Sequence, residues 1–322
     1  MTASRGSGRA LGAGLSCYLI WGFVPLVFQA VNALGVGPWE ILAHRIVWSI
    51  PTAALFVWMA RQGPQALAVL RDPKTLGWLL VSSLLIACNW VVFIWAVTSG
   101  RLLEAALGYY INPLVSMAAG ALIFRERIDR VGMVAIALAV AGVAVQALAL
   151  GQLPWVSLVL ALSFGGYGVV RKQVAADAQT GFLWETLLVG AVAGGYIAWL
   201  AGQPGGSHFS DPVAAAWLIA CGPITAIPLV LFSWAARRVP LSVMGFMQFL
   251  SPTISFFIGL AQGEPFTPLR ALSFAFIWGG AAVFLYGAWR RSRRVAEAQK
   301  AIESAAAESR SGADEARRAT GA

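Results

Sequence analysis

The sequence has 322 residues, of which 59% are hydrophobic and only 11% are charged. Ordinary soluble domains carry about 25% charged residues, so this composition excludes a soluble protein and indicates a membrane protein. The net charge of +9 does not indicate a nucleic-acid partner, because the basic residues cluster between apolar runs, where they set membrane topology. We therefore expect membrane lipid around the chain and no nucleic acid bound to it.

Ten apolar runs are close to the length of about 20 residues that a membrane-spanning helix needs. In chain order they are Ala10–Val31, Glu40–Ala60, Leu76–Val97, Leu102–Phe124, Val131–Leu150, Pro154–Val170, Gly181–Ala201, Val213–Ala236, Leu241–Ala261 and Leu269–Trp289. Short connections that contain glycine and proline separate them, which indicates turns rather than extramembrane domains. The sequence therefore predicts an all-α membrane protein with ten transmembrane helices.

The basic residues predict how these spans are oriented. With a cytoplasmic N-terminus, every Lys and Arg falls on the cytoplasmic side except Arg45, within a span, and Arg101 and Arg270, outside. Cytoplasmic loops carry an excess of basic residues, so this distribution supports the span count and the orientation together. We expect both termini in the cytoplasm, with residues 290–322 forming a mobile tail whose basic start lies near anionic lipid.

The two halves of the chain repeat a weak pattern. Phe93, Trp95 and Pro113 recur 139 positions later as Phe232, Trp234 and Pro252, and Trp39-Glu40 recurs 145 positions later as Trp184-Glu185. Five spans per half is an odd number, so the second half must enter the membrane in the opposite orientation, as in the inverted repeats of secondary transporters. The predicted division is an N-terminal segment 1–9, a first five-helix repeat 10–150, a second repeat 151–289 and the tail 290–322.

The second span contains the stretch Glu-Ile-Leu-Ala-His-Arg-Ile-Val-Trp-Ser, residues 40–49. A helix that begins at Pro38 carries Arg45 about 10 Å into the membrane. Ionisable groups at such depth normally face a bundle interior or a water-filled cavity. The hypothesis is that Arg45 holds an anionic group of the solute, or neutralises Glu104 when the site is empty. His44, with an ordinary pKa of ~6.5, would couple transport to protons while Glu40 tunes it. The alternative is that Arg45 snorkels to the headgroups and that His44 is a packing residue.

Further polar, aromatic and helix-breaking residues inside the apolar runs predict a cavity lined by spans one to four and six to nine. The predicted solute-binding residues are Trp21, Arg45, Asn89, Trp90, Tyr109, Tyr110, Asn112, Tyr167, Gln248 and Ser251, the predicted charge and coupling residues are Glu40, His44, Glu104 and Glu185, and the predicted hinges are Pro25, Pro113, Gly168 and Pro252. The alternatives are packing or an interfacial belt for the aromatic residues and structural kinks for the prolines. No metal, cofactor or catalytic residue is predicted.

Spans five and ten carry small residues at every fourth position and almost no polarity. Ala137 and Ala141 lie in span five, and Ala271, Ala275 and Gly279 lie in span ten. Small residues let helices approach closely, so we expect these two spans to form a scaffold or the contact of a homodimer.

Several strings resemble one branch of a known transporter superfamily. They are Tyr18-x-x-Trp21-Gly22, Glu40-Ile41-Leu42-x-His44-Arg45, Gly108-Tyr109-x-Ile111-Asn112-Pro113 and Tyr167-Gly168-x-Val170-Arg171-Lys172. Together with ten spans in two inverted halves, they are similar to the RarD (chloramphenicol-sensitive protein) branch of the EamA-type drug/metabolite transporters, over Leu11 to Tyr286. This resemblance implies a permease of the bacterial inner membrane, but it implies no agreed substrate.

The function expected from the sequence is secondary active transport of small organic metabolites or drugs, as an exporter that works by alternating access. No Gly-x-x-x-x-Gly-Lys-Ser/Thr string is present, so the energy would come from a gradient rather than from ATP. The alternatives are a passive channel, a membrane-embedded receptor, and an intramembrane enzyme that uses His44 and Glu40 as an acid–base pair.

Overall fold

The structure is a computed structural model that describes residues 2–124, 129–171, 173–236, 247–287, 289, 290, 293 and 297. The helices are α1 (Thr2–Ala33), α2 (Pro38–Met59), α3 (Gly63–Val69), α4 (Pro73–Thr98), α5 (Leu102–Phe124), α6 (Arg130–Leu150), α7 (Trp155–Arg171), α8 (Ala178–Ala201), α9 (Pro212–Ala236), α10 (Leu250–Ala261) and α11 (Pro268–Gly287). One 3-10 turn, His208–Ser210, lies between α8 and α9. Within these ranges no residue forms a β-strand.

Each predicted span falls on one of these helices, and α3 is an additional short helix after α2. Seven helices are long and apolar enough to cross a membrane by length and composition, namely those at Arg9–Ala33, Pro38–Met59, Pro73–Thr98, Arg130–Leu150, Ala178–Ala201, Pro212–Phe232 and Pro268–Gly287. The chain is therefore a multi-pass membrane protein. Residues 241–246, the first part of the predicted ninth span, and residues 298–322, most of the predicted tail, lie outside the described residues.

The helices begin where the sequence supplies suitable first-turn residues. Pro38, Pro73 and Pro212 each occupy the first position of a helix, where the missing N–H of proline costs nothing. Asp72 also caps α4, because its carboxylate accepts hydrogen bonds from the backbone N–H groups of Lys74 and Thr75.

Contacts between helices join the first half of the chain, α1–α6, to the second half, α7–α11. Helix α1 packs against α9 and α10, α2 against α8 and α9, α4 against α7 and α8, and α5 against α7 and α10. Glycine permits the closest approaches. A Cβ added to Gly222 on α9 would lie 2.3 Å from the Trp48 carbonyl oxygen on α2, and one on Gly108 of α5 would lie 2.7 Å from the Ser157 carbonyl oxygen on α7.

The two ends of the bundle can be defined by the loops that meet there. At the first end, here called the Ser207 end, Gly35 lies against His208, and Glu40 contacts Ser207. At the opposite end, here called the Asp177 end, the Gln62 side-chain amide donates to Asp177 at 3.3 Å. Helix α2 therefore runs from the Ser207 end to the Asp177 end, and α8 runs in the opposite direction.

Helices α6 and α11 pack against each other through small residues. The Ser273 hydroxyl donates to the Gly142 carbonyl oxygen at 2.8 Å, and a Cβ on Gly280 would lie 3.0 Å from the Ala135 carbonyl oxygen. Two residues of the predicted stripe, Ala137 and Ala275, are exposed and lie outside this contact. Gly279 faces α6, since a Cβ there would lie 3.9 Å from the Leu138 side chain. The homodimer contact stays a prediction.

Candidate functional site

A cavity of about 380 Å³ lies between the two halves of the bundle. Helices α1, α2, α4, α5, α7, α8, α9 and α10 all contribute lining residues, and α6 and α11 contribute none among the described residues. This is the set of helices that the sequence predicts around a cavity. Ten of the lining side chains are aromatic: Tyr18, Trp21, Phe56, Trp90, Phe93, Tyr109, Phe164, Tyr167, Phe182 and Phe232. The volume and the apolar lining are typical of sites for small organic molecules.

The cavity extends toward the Asp177 end of the bundle. Ala178 and Gln179, the first two residues of α8, line it there, and Arg45 and Thr225 lie deeper in the bundle. None of the described residues in the connections at the Ser207 end lines the cavity. The cavity is therefore asymmetric between the two faces of the protein.

Most of the predicted solute-binding residues meet at this cavity. Its lining includes Trp21, Arg45, Asn89, Trp90, Tyr109, Asn112, Tyr167, Gln248 and Ser251, together with Glu185 and Pro252 from the other predicted groups. Tyr110 is the exception, because adjacent residues on a helix point about 100° apart. Its hydroxyl shares a 2.6 Å hydrogen bond with Thr253, and its ring packs against Phe274 away from the cavity. The prediction for Tyr110 therefore has no support in the structure.

Arg45 is held in a fixed orientation, and no carboxylate of the described residues pairs with it. Its Nε donates to the Thr225 hydroxyl at 2.8 Å, and its guanidinium carbon lies 4.4 Å from the ring centre of Trp90 and 5.2 Å from that of Phe28. The side chain is 7% exposed, and Nη1 is buried without a hydrogen-bond partner in the described residues. The prediction that Arg45 neutralises Glu104 is not what this structure shows, since Glu104 lies 3.9 Å from Arg101 instead.

Asn89 satisfies its polar atoms within the protein. Its amide nitrogen donates to the Leu160 carbonyl oxygen and to the Ser163 hydroxyl, each at 3.0 Å, and its amide oxygen accepts from the Tyr109 hydroxyl at 3.0 Å. An unpaired amide in this apolar region would be costly, so these bonds explain how it is tolerated. Asn112 differs, because its amide oxygen is buried without a hydrogen-bond partner among the described residues.

Glu185 and Arg171 form a charged pair where the cavity approaches the Asp177 end. The Arg171 Nη1 lies 3.5 Å from Glu185 Oε1, and the Glu185 carboxylate also accepts from Ser82 at 2.6 Å and from Tyr167 at 3.2 Å. Gly181 leaves room for the guanidinium, since a Cβ there would lie 2.0 Å from Arg171 Nη1. Arg171 belongs to one of the strings that carry the family resemblance, but its place beside the cavity was not predicted.

Glu40 does not hydrogen-bond to His44. Glu40 binds the loop between α8 and α9, because the Ser207 hydroxyl and the His208 N–H donate to its Oε1 at 2.6 and 2.8 Å, and its Oε2 lies 2.8 Å from His208 Nδ1. His44 instead stacks on Phe209 at 4.9 Å, and both of its ring nitrogens are buried without a partner in the described chain. His44 and Glu40 do not line the cavity. Sequence spacing assigned Glu40 to His44, but in the structure Glu40 binds His208, which lies 168 positions later in the chain.

A second carboxylate also joins the halves at the Ser207 end. Glu264, in the loop between α10 and α11, accepts hydrogen bonds from the N–H groups of Leu102 and Leu103 at the start of α5. Burial raises the pKa of the Glu264 carboxyl above its ordinary value, although these two N–H groups oppose the shift. Gln29 and Gln262 exchange two amide hydrogen bonds, at 2.9 and 2.7 Å, at the same end.

The predicted hinge residues lie within continuous helices. Pro25 and Pro113 are inside α1 and α5, and Gly168 lies in α7 with open space where a Cβ would be. Pro252 is in α10 and lines the cavity. Thr225, which orients Arg45, had no prediction, and a hydroxyl in the otherwise apolar run of α9 was the available signal.

The described residues contain no group of three or more His, Cys, Asp or Glu side chains that could hold a metal ion. A bundle of helices that can span a membrane, around a buried cavity with aromatic lining residues and a cation at its depth, is the architecture expected of a membrane transporter.

Comparison with known proteins assigns the family. Residues 9–148 match the EamA-like transporter family. The chain is 38% identical over 285 residues to protein RarD of Escherichia coli (strain K12), covering 88% of this chain and 96% of that protein. It is 40% identical over 276 residues to an uncharacterized transporter of Vibrio cholerae, covering 84% and 89%. The protein belongs to the RarD branch of the EamA-type transporters.

Two further similarities agree with this assignment. The chloramphenicol-sensitive protein RarD of Pseudomonas aeruginosa is 31% identical over 261 residues, covering 79% of this chain and 85% of that protein. One solved crystal structure superposes with a TM-score of 0.58 at 19% sequence identity, covering 88% of this chain and 98% of the other. At that identity the superposition supports the fold alone.

Proposed function

We propose that this protein is a secondary active transporter that exports small organic anions across the bacterial inner membrane by alternating access. The observation that carries the proposal is Arg45, a buried cation beside the cavity with no carboxylate partner among the described residues. Removing a charge from water is costly unless a partner of opposite charge is supplied. An anionic solute in the cavity would supply that partner.

The lining supports an organic solute rather than an inorganic ion. Trp90 lies against the guanidinium of Arg45, and nine other aromatic side chains contribute to the wall. A solute that combines an anionic group with an apolar or aromatic body would match both parts of this surface.

The arrangement of the helices supports two inverted repeats, each of five spans. In an inverted repeat, α1, α2, α4 and α5 correspond to α7, α8, α9 and α10. The packed pair α1 and α9 then corresponds to α7 and α4, which also pack together. In the same way α1 and α10 correspond to α7 and α5, and α2 and α9 correspond to α8 and α4. Such a pair of halves can exchange conformations and open a central site to each side in turn.

The open side of the cavity and the basic residues support export as the direction of transport. The basic residues Arg61, Arg71, Lys74 and Arg171 lie in or beside the described connections at the Asp177 end, as in cytoplasmic segments. A cavity that reaches this end would load its solute from the cytoplasm.

The binding part of the proposal is tested by thermal unfolding of the purified protein with three probes that share one ring: benzoate, benzylammonium and benzyl alcohol. A ligand that binds only the folded state raises the unfolding temperature. We expect benzoate to stabilise the parent protein and the variant Arg101→Gln, whose cation lies outside the cavity, but not Arg45→Gln. Equal stabilisation of Arg45→Gln would contradict the proposed anion site.

The transport part is tested in sealed inside-out membrane vesicles with labelled benzoate and an imposed proton gradient. Saturable accumulation that depends on the gradient indicates an active exporter, whereas equilibration without accumulation indicates a passive channel. We propose Glu185 as the proton-coupling residue, because its carboxylate lines the cavity and that of Glu40 does not. Glu185→Gln should then equilibrate benzoate without gradient-driven accumulation, and unchanged accumulation would exclude this role.

A further inference from the structure

The Ser207 end of the bundle is closed by the connection between α8 and α9. Glu40, in the first turn of α2, is 3% exposed and binds Ser207 and His208 through both carboxylate oxygens. One carboxylate of the first half thus holds a loop of the second half. Three protein groups contact this carboxylate, but all three belong to one short segment, so the contact can be lost as a unit.

The next residue of that segment, Phe209, is inserted into the bundle. Its ring lies 4.9 Å from the His44 ring, nearly parallel at 10°, and 6.0 Å from the Trp48 ring at 20°. Both ring nitrogens of His44 and the Trp48 Nε1 are buried without a hydrogen-bond partner in the residues that the structure describes. A neutral imidazole has one N–H donor and one acceptor nitrogen, and the indole has one N–H donor. A phenyl ring satisfies none of them, so the slot is better matched to an occupant with polar atoms.

We propose that Ser207–Phe209 is the movable closure of this end of the cavity. In the closed state, the Phe209 ring occupies the place that a planar, anionic part of the solute takes when the closure opens. The inference rests on the proposed function, because such a closure is needed only if the cavity opens to this face. Opening requires release of Ser207 and His208 from Glu40. His44 and Trp48 then face the pathway, where their N–H groups donate to an anion and their rings stack on its planar body.

The chain contains a natural reporter for this opening. Cys221 is buried on α9, one turn before Thr225, and its neighbour Gly222 packs directly on Trp48. It therefore lies at the depth of the Phe209 stack. With Cys17 and Cys88 replaced by serine, a membrane-impermeant methanethiosulfonate added to the Ser207 face of sealed vesicles reports access to Cys221 alone.

We expect Cys221 to react slowly in this parent and about tenfold faster in Glu40→Gln and in Phe209→Ala, because each change weakens the closed state. Asp211→Asn is the matched control, since Asp211 lies in the same connection and caps α9 through Val213 without touching Glu40. Its rate should equal that of the parent. Thermal unfolding of every variant establishes that it is folded before labelling. Equal reaction rates in all four proteins would overturn the closure.

The occupant of the slot is tested in Phe209→Ala with the two charged probes of the same ring. Benzoate should slow the modification of Cys221 at least threefold, and benzylammonium should not, because the Trp48 indole N–H and the N–H of the His44 ring donate hydrogen bonds to an anion. Protection by both probes or by neither would overturn the assignment of the slot. Labelling does not require transport, so the two proposals can fail separately. Faster labelling of the variants without gradient-driven accumulation would contradict the proposed function. Accumulation with equal labelling rates would contradict only the proposed closure.

Discussion

Glu40 and Glu185 occupy corresponding places in the two halves, each after a tryptophan, yet their surroundings differ. Glu40 is occupied by Ser207 and His208, and it does not border the cavity. Glu185 borders the cavity and shares its carboxylate with Arg171 and Tyr167. The Trp-Glu pair of the first half therefore holds the loop at the Ser207 end, and that of the second half lies beside the cavity. This difference is expected if the two halves exchange these roles during a cycle.

The largest expected difference comes from removing each carboxylate charge. Glu185→Gln leaves Arg171 without a counter-charge, and breaking a buried ion pair costs roughly 3–5 kcal/mol, with the lower value expected here because Arg171 is 17% exposed on its side chain. In Glu40→Gln, the amide can still accept from Ser207 and donate to His208, so we expect a loss of only about 1 kcal/mol. Denaturant unfolding in mixed micelles measures both values.

The double variant Arg171→Gln/Glu185→Gln is the control for this comparison. It removes both charges, so it should recover much of the stability that Glu185→Gln loses. Equal losses of stability in Glu40→Gln and Glu185→Gln would mean that the ion pair between Arg171 and Glu185 adds no stability beyond that of the hydrogen bonds at Glu40. That result would contradict the predicted difference between the two ends.

Replacing one glycine in each of α9 and α8 by alanine gives the next largest difference in stability. In Gly222→Ala the new Cβ meets the Trp48 backbone, which cannot move alone, so we expect a loss of about 2 kcal/mol from overpacking. In Gly181→Ala it meets the mobile end of the Arg171 side chain, which can move into the cavity. We therefore expect a smaller loss of stability, together with weaker binding of benzoate.

Gly194→Ala in α8 is the matched control, because nothing lies within 4 Å of its added Cβ. It should stabilise the protein by up to ~1 kcal/mol through helix propensity. The measurement is the unfolding temperature of the three variants. A larger loss in Gly181→Ala than in Gly222→Ala would contradict the tight backbone contact between α2 and α9.

The smallest difference concerns the two tryptophans of the repeated pair. The Trp184 indole N–H donates to the Ala66 carbonyl oxygen at 3.0 Å, whereas Trp39 is 59% exposed. Trp184→Phe should therefore cost about 1 kcal/mol, the usual net value of one hydrogen bond. Trp39→Phe should change stability by less than ~0.5 kcal/mol. Denaturant unfolding separates these values, and the reverse order would contradict the difference between the two ends.

The sequence predicted the helices well because hydropathy and turn residues report directly on lipid contact. It also predicted most cavity residues, because a polar or charged residue in an apolar run must face other protein or water. Arg45 and Asn89 were found in this way. The prediction failed for Tyr110 because the rotation of a helix about its axis is set by packing, and adjacent tyrosines cannot both face the cavity.

Partners across the halves could not be predicted. Arg45 binds Thr225, 180 positions later, and Glu40 binds His208, 168 positions later. Sequence spacing identifies neighbours only within one helix, so Glu40 was assigned to His44, four positions away. The place of Arg171 was missed for the same reason, because its cavity contact depends on how α7 and α8 pack.

The central claim is that one cavity opens to each face in turn. It is tested by a single cysteine at Val230, which lines the cavity, in protein whose three native cysteines are replaced by serine. A membrane-impermeant thiol reagent is applied to each face of sealed vesicles, with Glu40 intact and with Glu40→Gln. We predict that Glu40→Gln raises the reaction rate from the Ser207 face and lowers it from the Asp177 face. A rise from both faces would indicate a channel, and unchanged rates would indicate a pocket with one fixed opening, so either result would contradict the account.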